Sequence, residues 1–177
     1  MKLVILDRDG TINQDSDQYI KSPAEWKPIK GSLEAIARLS QNGWRVVVAT
    51  NQSGIGRGLF EMATLNAIHD TMHRAVHHAG GRIDAIFFCP HAGDANCECR
   101  KPKPGMLLEI AKRMNVELEG VPMVGDSLRD LQAATAAGAR PVLVLTGKGR
   151  KTRDAGGLPA GTVVVADLAA FAAQHAP

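Results

Sequence analysis

The sequence is poor in net charge, in cysteine and in long apolar runs, and each shortage narrows what the chain does. Its 21 basic against 18 acidic side chains leave a formal charge of +3. That is too little, by itself, to grip a nucleic-acid backbone, although a mildly basic site for a small anion stays compatible with it. No apolar run approaches the roughly 18–20 residues of a membrane span, so no membrane partner is expected. Lys2 leads straight into an acid-bearing strand, which leaves no room for a secretory signal, and the expected location is the cytoplasm. The only cysteines are Cys89, Cys97 and Cys99. With no fourth to complete two disulfides, metal ligation or reduced thiols fit better than a disulfide framework. There is no internal repeat, no low-complexity segment and no sign of a second domain. The 177 residues, 45% apolar and 22% charged, suit one domain over 1–177 with a sizeable core.

What is present is an alternation of buried strands and amphipathic helices. Leu3-Val4-Ile5-Leu6 reads as a buried strand that delivers Asp7 and Asp9. Arg45 to Asn51, rich in β-branched residues without alternation, reads as a strand covered on both faces. Further strands are expected at 83–89, 122–126, 141–145 and 162–165. Helices are expected at about 33–41 (with Gly31-Ser32 as cap), 62–79, 104–114, 127–137 and from 168. The segment 13–30 is long for a plain connection, and 147–161 reads as a polar, glycine-rich loop. The pattern predicts a three-layer α/β/α, doubly wound, mostly parallel, Rossmann-like sheet. In such sheets ligands bind beyond the carboxyl ends of the strands, where Asp7, Thr50 and Asp126 fall.

The chemistry gathers at those ends. Residues i and i+2 of a strand project to the same side, so Asp7 and Asp9 would repel unless a cation or a shared proton intervenes. Asp126 and Asp130 add carboxylates from a second strand end, and such a cluster calls for a hard divalent cation, most simply Mg²⁺. Thr50-Asn51-Gln52-Ser53 offers a hydroxyl, amides and backbone N–H groups suited to phosphoryl oxygens. Arg100-Lys101-Pro102-Lys103-Pro104 puts cations just ahead of a helix N-terminus. Cys89-x-His91, then Cys97-x-Cys99, is a closed structural Zn²⁺ set, which would staple a loop that runs directly into Arg100 and Lys101. His69, His73 and His77 flank an apolar stripe and read as a solvated boundary rather than a metal face. Trp26 and Trp44 read as packing groups. Lys148, Arg150, Lys151 and Arg153, with no aromatics interleaved, read as a solvated basic loop.

In chain order, Asp7-Arg8-Asp9-Gly10-Thr11, Thr50, Lys101 and Gly125-Asp126 resemble the four motifs of the haloacid dehalogenase-like phosphatases, over residues 3 to about 147. The strings DRDGTIN, TNQSGIGRG, FFCPH, CxCRKPKPGM and GDSLRD are similar to the family's heptose-bisphosphate branch, which serves bacterial lipopolysaccharide precursor synthesis; the histidinol-phosphate phosphatases are the alternative. The resemblance implies a Mg²⁺-dependent phosphatase acting on a small sugar phosphate. Asp7 would be the nucleophile and Asp9 the general acid and then base. Thr50 and Lys101 would hold phosphoryl oxygens. Mg²⁺ would sit on Asp7, Asp126 and the backbone carbonyl of Asp9, with no direct role for Asp130. Arg100, the stretch Asp15-Ser16-Asp17-Gln18 and the turn Asn51-Gln52-Ser53 would touch substrate. Ser127 departs from the branch, where many members carry Lys. The short intervals between motifs leave no room for an inserted cap domain, and a monomer is the expected state.

Overall fold

In the computed structural model, which describes residues 1–177, the strands β1 (Lys2–Leu6), β2 (Trp44–Asn51), β3 (Ala85–Cys89), β4 (Pro122–Gly125), β5 (Arg140–Val144) and β6 (Val163–Val165) form one sheet in the order β3-β2-β1-β4-β5-β6. Every pairing is parallel. The helices are α1 (Ser32–Gln41), α2 (Ser53–Gly56), α3 (Met62–His78), α4 (Gly105–Met114), α5 (Leu128–Ala136), α6 (Gly149–Ala155) and α7 (Leu168–His175). A parallel sheet is buried on both faces, and the run Leu3-Val4-Ile5-Leu6 shows how an unalternating apolar strand meets that need. Val4 and Leu6 enter one core with Ile36 and Leu39 of α1, Ile68 and Met72 of α3, and Phe171 of α7. Leu3 and Ile5 enter a second core with Leu107 and Ile110 of α4 and Ala133 and Ala134 of α5. The three-layer α/β/α expectation is met. Each such fully buried aliphatic side chain is worth about 1.5–3 kcal/mol of transfer free energy.

The chain runs outward from β1 to β3, then returns to lay β4 against the other side of β1. This reversal opens a crevice beyond the carboxyl ends of β1 and β4. Asp7 follows β1 and Asp126 follows β4, so the two acids face each other across it.

Three local readings change. Ser32 does not cap α1: Gly31, at φ +88°, is the N-cap, and the Ser32 hydroxyl instead donates to the Thr11 carbonyl at 2.8 Å. The strand expected from Ile83 begins at Ala85, because the Asp84 carboxylate turns back to accept from the Val46 N–H at 2.8 Å. Residues 147–161 are not all loop. They contain α6, which lacks an apolar stripe and is tied down by the Thr152 hydroxyl donating to the Asp126 carbonyl at 2.8 Å. Trp26 is buried in the first core and Trp44 packs against it, as expected of packing groups.

Candidate functional site

Close backbone approach builds the floor of the crevice. Gly10, at φ +81°, follows the Asp7/Asp9 strand end, and a Cβ there would collide with the Asp126 carboxylate. Gly147 approaches the same carboxylate and the Gly10 backbone, and the Lys148 N–H donates to Asp126 Oδ2 at 2.8 Å. Glycine is what lets three chain segments converge on one acid.

Asp7, Asp126 and Asp130 bring carboxylate oxygens within 4.8 Å of one another. Lys101 sits among them with its side chain buried. Its ammonium donates to Asp7 Oδ1 at 3.0 Å, to the Ala49 carbonyl at 2.8 Å and to Asp130 Oδ1 at 2.6 Å, so all three N–H groups are satisfied. Burial alone would lower its pKa, but the charges of Asp130 and Asp7 raise it above the ordinary lysine value. Burial pushes the Asp7 carboxyl well up, with the charges of Asp130, Asp126 and Asp9 adding to it and Lys101 opposing. Asp126 is pushed up to about 7 by burial and by Asp130. Asp130, buried too, is nonetheless held below the usual carboxylate range by Lys101 and by Ser127, whose N–H and hydroxyl donate to Oδ2 at 3.1 and 2.9 Å. Two carboxyls with raised proton affinity are what a hard divalent cation relieves. The oxygen-only donor set suits Mg²⁺.

Asp9 is held separately. Its Oδ1 accepts from Arg8 Nε at 2.8 Å and Asn13 Nδ2 at 3.0 Å, and its Oδ2 from Gln52 Nε2 at 3.3 Å. Burial raises its pKa, yet Arg8 and these donors bring it below the ordinary value. Its carboxylate thus has its own set of partners and is not one of the three that converge at the floor. Thr50 lies one residue before the end of β2, its hydroxyl accepting from Gln52 Nε2 at 2.9 Å.

Above this floor lies a cavity of about 280 Å³, lined by 19 residues of which only Tyr19 and Ile20 are hydrophobic. Ligand pockets are usually mostly apolar, so this one is built for a heavily charged, hydrated molecule. The floor carboxylates are buried, whereas Arg57, Arg129 and Lys148 are exposed and Arg100 half-exposed. A cation is thus favoured below and an anionic ligand at the rim. Asp15, Ser16, Asp17, Asn51, Gln52, Ser53 and Arg100 all line the cavity. Gln18 does not; its carbonyl accepts from Lys21 Nζ at 2.6 Å on the outer side of the same loop. Asn51 has its amide committed to the Lys101 backbone, donating to the carbonyl at 3.0 Å and accepting from the N–H at 3.0 Å.

The sequence reading missed several groups here. Asp130, given no direct role from the sequence, does orient the helix turn, closing a capping box with Ser127 at the start of α5; what the sequence did not show is that it is also the chief partner of Lys101. Its signal was its place one helical turn after Asp126. Lys148, read as part of a solvated loop, reaches Asp15 at 3.3 Å and Asp17 at 3.9 Å. Arg57 and Arg129 also line the rim, and lone arginines in a loop and a helix start carried no signal. His69 is buried rather than solvated and meets Arg8 Nη1 at 3.1 Å; His73 and His77 are exposed as expected.

Beside the rim, Cys89, His91, Cys97 and Cys99 bring ligand atoms within 4.8 Å of one another. Cys89 Sγ lies 3.4 Å from His91 Nδ1 and 3.6 Å from Cys97 Sγ, and His91 Nδ1 lies 3.3 Å from Cys99 Sγ. Three thiols and an imidazole converging with no disulfide fit a four-coordinate Zn²⁺ site without an open position.

The sequence profile of the HAD-hydrolase-like family matches residues 98–171. The chain is 66% identical over 174 residues to D-glycero-beta-D-manno-heptose-1,7-bisphosphate 7-phosphatase of Bordetella bronchiseptica, covering 98% of this chain and 97% of that one. It is 56% identical to the protein of the same name from Pseudomonas putida, covering 98% and 99%. Among solved structures, that of the B. bronchiseptica D,D-heptose 1,7-bisphosphate phosphatase complexed with magnesium and phosphate superposes with a TM-score of 0.98 at 65% identity, covering 99% of this chain and 98% of that one.

Proposed function

Because the chain belongs to the haloacid dehalogenase-like phosphatases, we propose that it removes the 7-phosphate of D-glycero-D-manno-heptose 1,7-bisphosphate, the β anomer specified in the names of its relatives. This hydrolysis supplies heptose for lipopolysaccharide precursors. The observation that carries the reading is the layering of the cavity, with buried carboxylates beneath a rim of Arg57, Arg100, Arg129 and Lys148. With a divalent cation held by the floor carboxylates, one phosphate would be drawn there and the second to the rim. Histidinol phosphate would instead offer the rim arginines an ammonium group, which they repel.

In the mechanism, Asp7 attacks phosphorus in line and forms an aspartyl-phosphate, while the sugar alkoxide leaves with a proton from Asp9. Asp9 then takes a proton from the water that attacks the aspartyl-phosphate, releasing phosphate and restoring Asp7. The approach of a dianionic phosphate raises the proton affinity of Asp9, which offsets the hold of Arg8 and suits it to donate. Thr50 and Lys101 bind phosphoryl oxygens, Lys101 exchanging one of its carboxylate contacts to do so. Asp7, Asp126 and the backbone carbonyl of Asp9 would hold Mg²⁺, whose charge lets an anionic carboxylate approach an anionic phosphate. Cys89, His91, Cys97 and Cys99 would hold Zn²⁺, which keeps Arg100 in place at the rim. Asp15, Ser16, Asp17, Gln52 and Ser53 contact the sugar. We assign the enzyme to the cytoplasm as a monomer. No helix is long and apolar enough to cross a membrane, the thiols suit a reducing compartment, and one chain supplies every group the reaction uses.

The test is a substrate panel with and without Mg²⁺, comparing both heptose bisphosphate anomers with histidinol phosphate. The highest kcat/KM is expected for the β bisphosphate and none without Mg²⁺. A preference for histidinol phosphate would overturn the assignment.

A further inference from the structure

Arg8 stands between the two acids of the nucleophile strand, is completely buried, and takes no part in the chemistry above. Its Nε donates to Asp9 Oδ1 at 2.8 Å, its Nη1 meets His69 Nε2 at 3.1 Å, and its Nη2 has no protein partner. A guanidinium only donates, so His69 Nε2 is the acceptor. The imidazole is therefore neutral, with its proton on Nδ1. The low proton affinity of the ring agrees: burial, then Arg8, pulls its pKa down to about 3. His69 lies on α3 and does not line the cavity, so it touches neither substrate nor metal.

The arrangement makes the two oxygens of Asp9 unequal. Oδ1 is taken by Arg8 and by Asn13 Nδ2 at 3.0 Å, whereas Oδ2 has only the longer contact with Gln52 at 3.3 Å. We infer that His69 is a positioning residue for the proton-transfer steps: by accepting from Arg8 Nη1 it docks the guanidinium on Asp9 Oδ1, leaving Oδ2 as the oxygen that exchanges the proton. Without an acceptor at position 69, the guanidinium has two partnerless groups and is drawn off Asp9 toward other acceptors. The carboxyl then loses its fixed orientation. This inference rests on the proposed role of Asp9 as proton donor.

The test compares two substrates on the intact, Mg²⁺-loaded enzyme. A sugar phosphate expels an alkoxide that needs a proton, whereas p-nitrophenyl phosphate expels a stable phenolate that does not. kcat/KM is the reported quantity, because it ends at transfer to Asp7 and excludes the later hydrolysis. Asp9→Asn serves as the reference and is expected to lower kcat/KM on the sugar phosphate by roughly 10²–10⁴-fold, with a far smaller loss on the aryl ester. His69→Leu is expected to lower the sugar-phosphate value about tenfold while the aryl value changes less than twofold. His69→Gln, whose amide oxygen accepts from Arg8, is expected to recover most of it. His69→Met, flexible enough to fill the site, replaces His69→Leu if that variant does not fold. Equal losses on both substrates, no loss, or no recovery in a folded His69→Gln protein would overturn the inference while leaving Asp9 as the donor. If Asp9→Asn itself shows no dependence on the leaving group, the donor role of Asp9 falls, and this inference with it.

Discussion

The ammonium of Lys101 and the carboxylate of Asp130 meet at 2.6 Å, with side-chain exposures of 2% and 1%. Neither group survives burial alone, since an unpaired charge in such a place costs several kcal/mol. The pair also sets the proton affinities around it: Asp130 raises those of Asp7 and Asp126, and Lys101 opposes both.

Asp130→Asn should therefore cost about 3–5 kcal/mol of stability, measured by urea unfolding at fixed pH and metal content. kcat should fall as well, because Asp7 is then the only charged partner left to Lys101. A loss below about 1 kcal/mol would mean that the pair is as weakly coupled as an exposed ion pair.

Gly10→Ala should reduce Mg²⁺ affinity at least tenfold, read by calorimetry. The added Cβ collides with the Asp126 carboxylate, and the backbone at φ +81° is strained for any side chain by about 1–2 kcal/mol. Unchanged affinity would show that the floor relaxes around the new methyl group.

Cys97→Ala, or treatment with a strong zinc chelator, should lower the melting temperature and raise KM more than it lowers kcat. Zinc content by elemental mass spectrometry should drop with it. The cluster staples residues 89–99, and Arg100 and Lys101 follow immediately. A zinc-free protein with unchanged KM would separate the metal from substrate recognition.

The stabilisation given by Mg²⁺ should grow with pH. Asp7 and Asp126 have folded-state proton affinities above the unfolded value of 3.8, Asp126 near 7. In the metal-free protein they contribute stability that is complete below pH 3.8 and lost as pH rises above it, for Asp126 as pH approaches 7, at up to about 1.4 kcal/mol per pH unit for each group. His69, with its affinity lowered to about 3, acts oppositely and loses its contribution as pH falls below 6.5. It is common to both forms and cancels in the difference. Unfolding midpoints with and without Mg²⁺ should diverge between pH 5 and 7; a constant gap would mean that these carboxyls do not carry the metal.

The layers and strand ends were legible because their signals are local. Leu3 to Leu6 and Val46 to Ala49 are apolar without alternation, and only a sheet covered on both faces explains such runs. Thiols and an imidazole within eleven positions of one chain needed no fold to be recognised as a set. The start of α1 and the whole of α6 were less legible. Each is decided by a distant bond, Ser32 to Thr11 and Thr152 to Asp126, and not by propensity.

By itself, the sequence determined the three-layer sheet, the acids at its strand ends and the sulfur-rich loop, because periodicity and spacing are properties of neighbours along the chain. Only the tertiary structure decided which charges answer each other. Lys101 is 29 residues from Asp130 and 94 from Asp7, Arg8 is 61 residues from His69, and Lys148 reaches Asp15 across the crevice. An ion pair is an energy of distance in space, and that distance exists only once the sheet has reversed between β1 and β4.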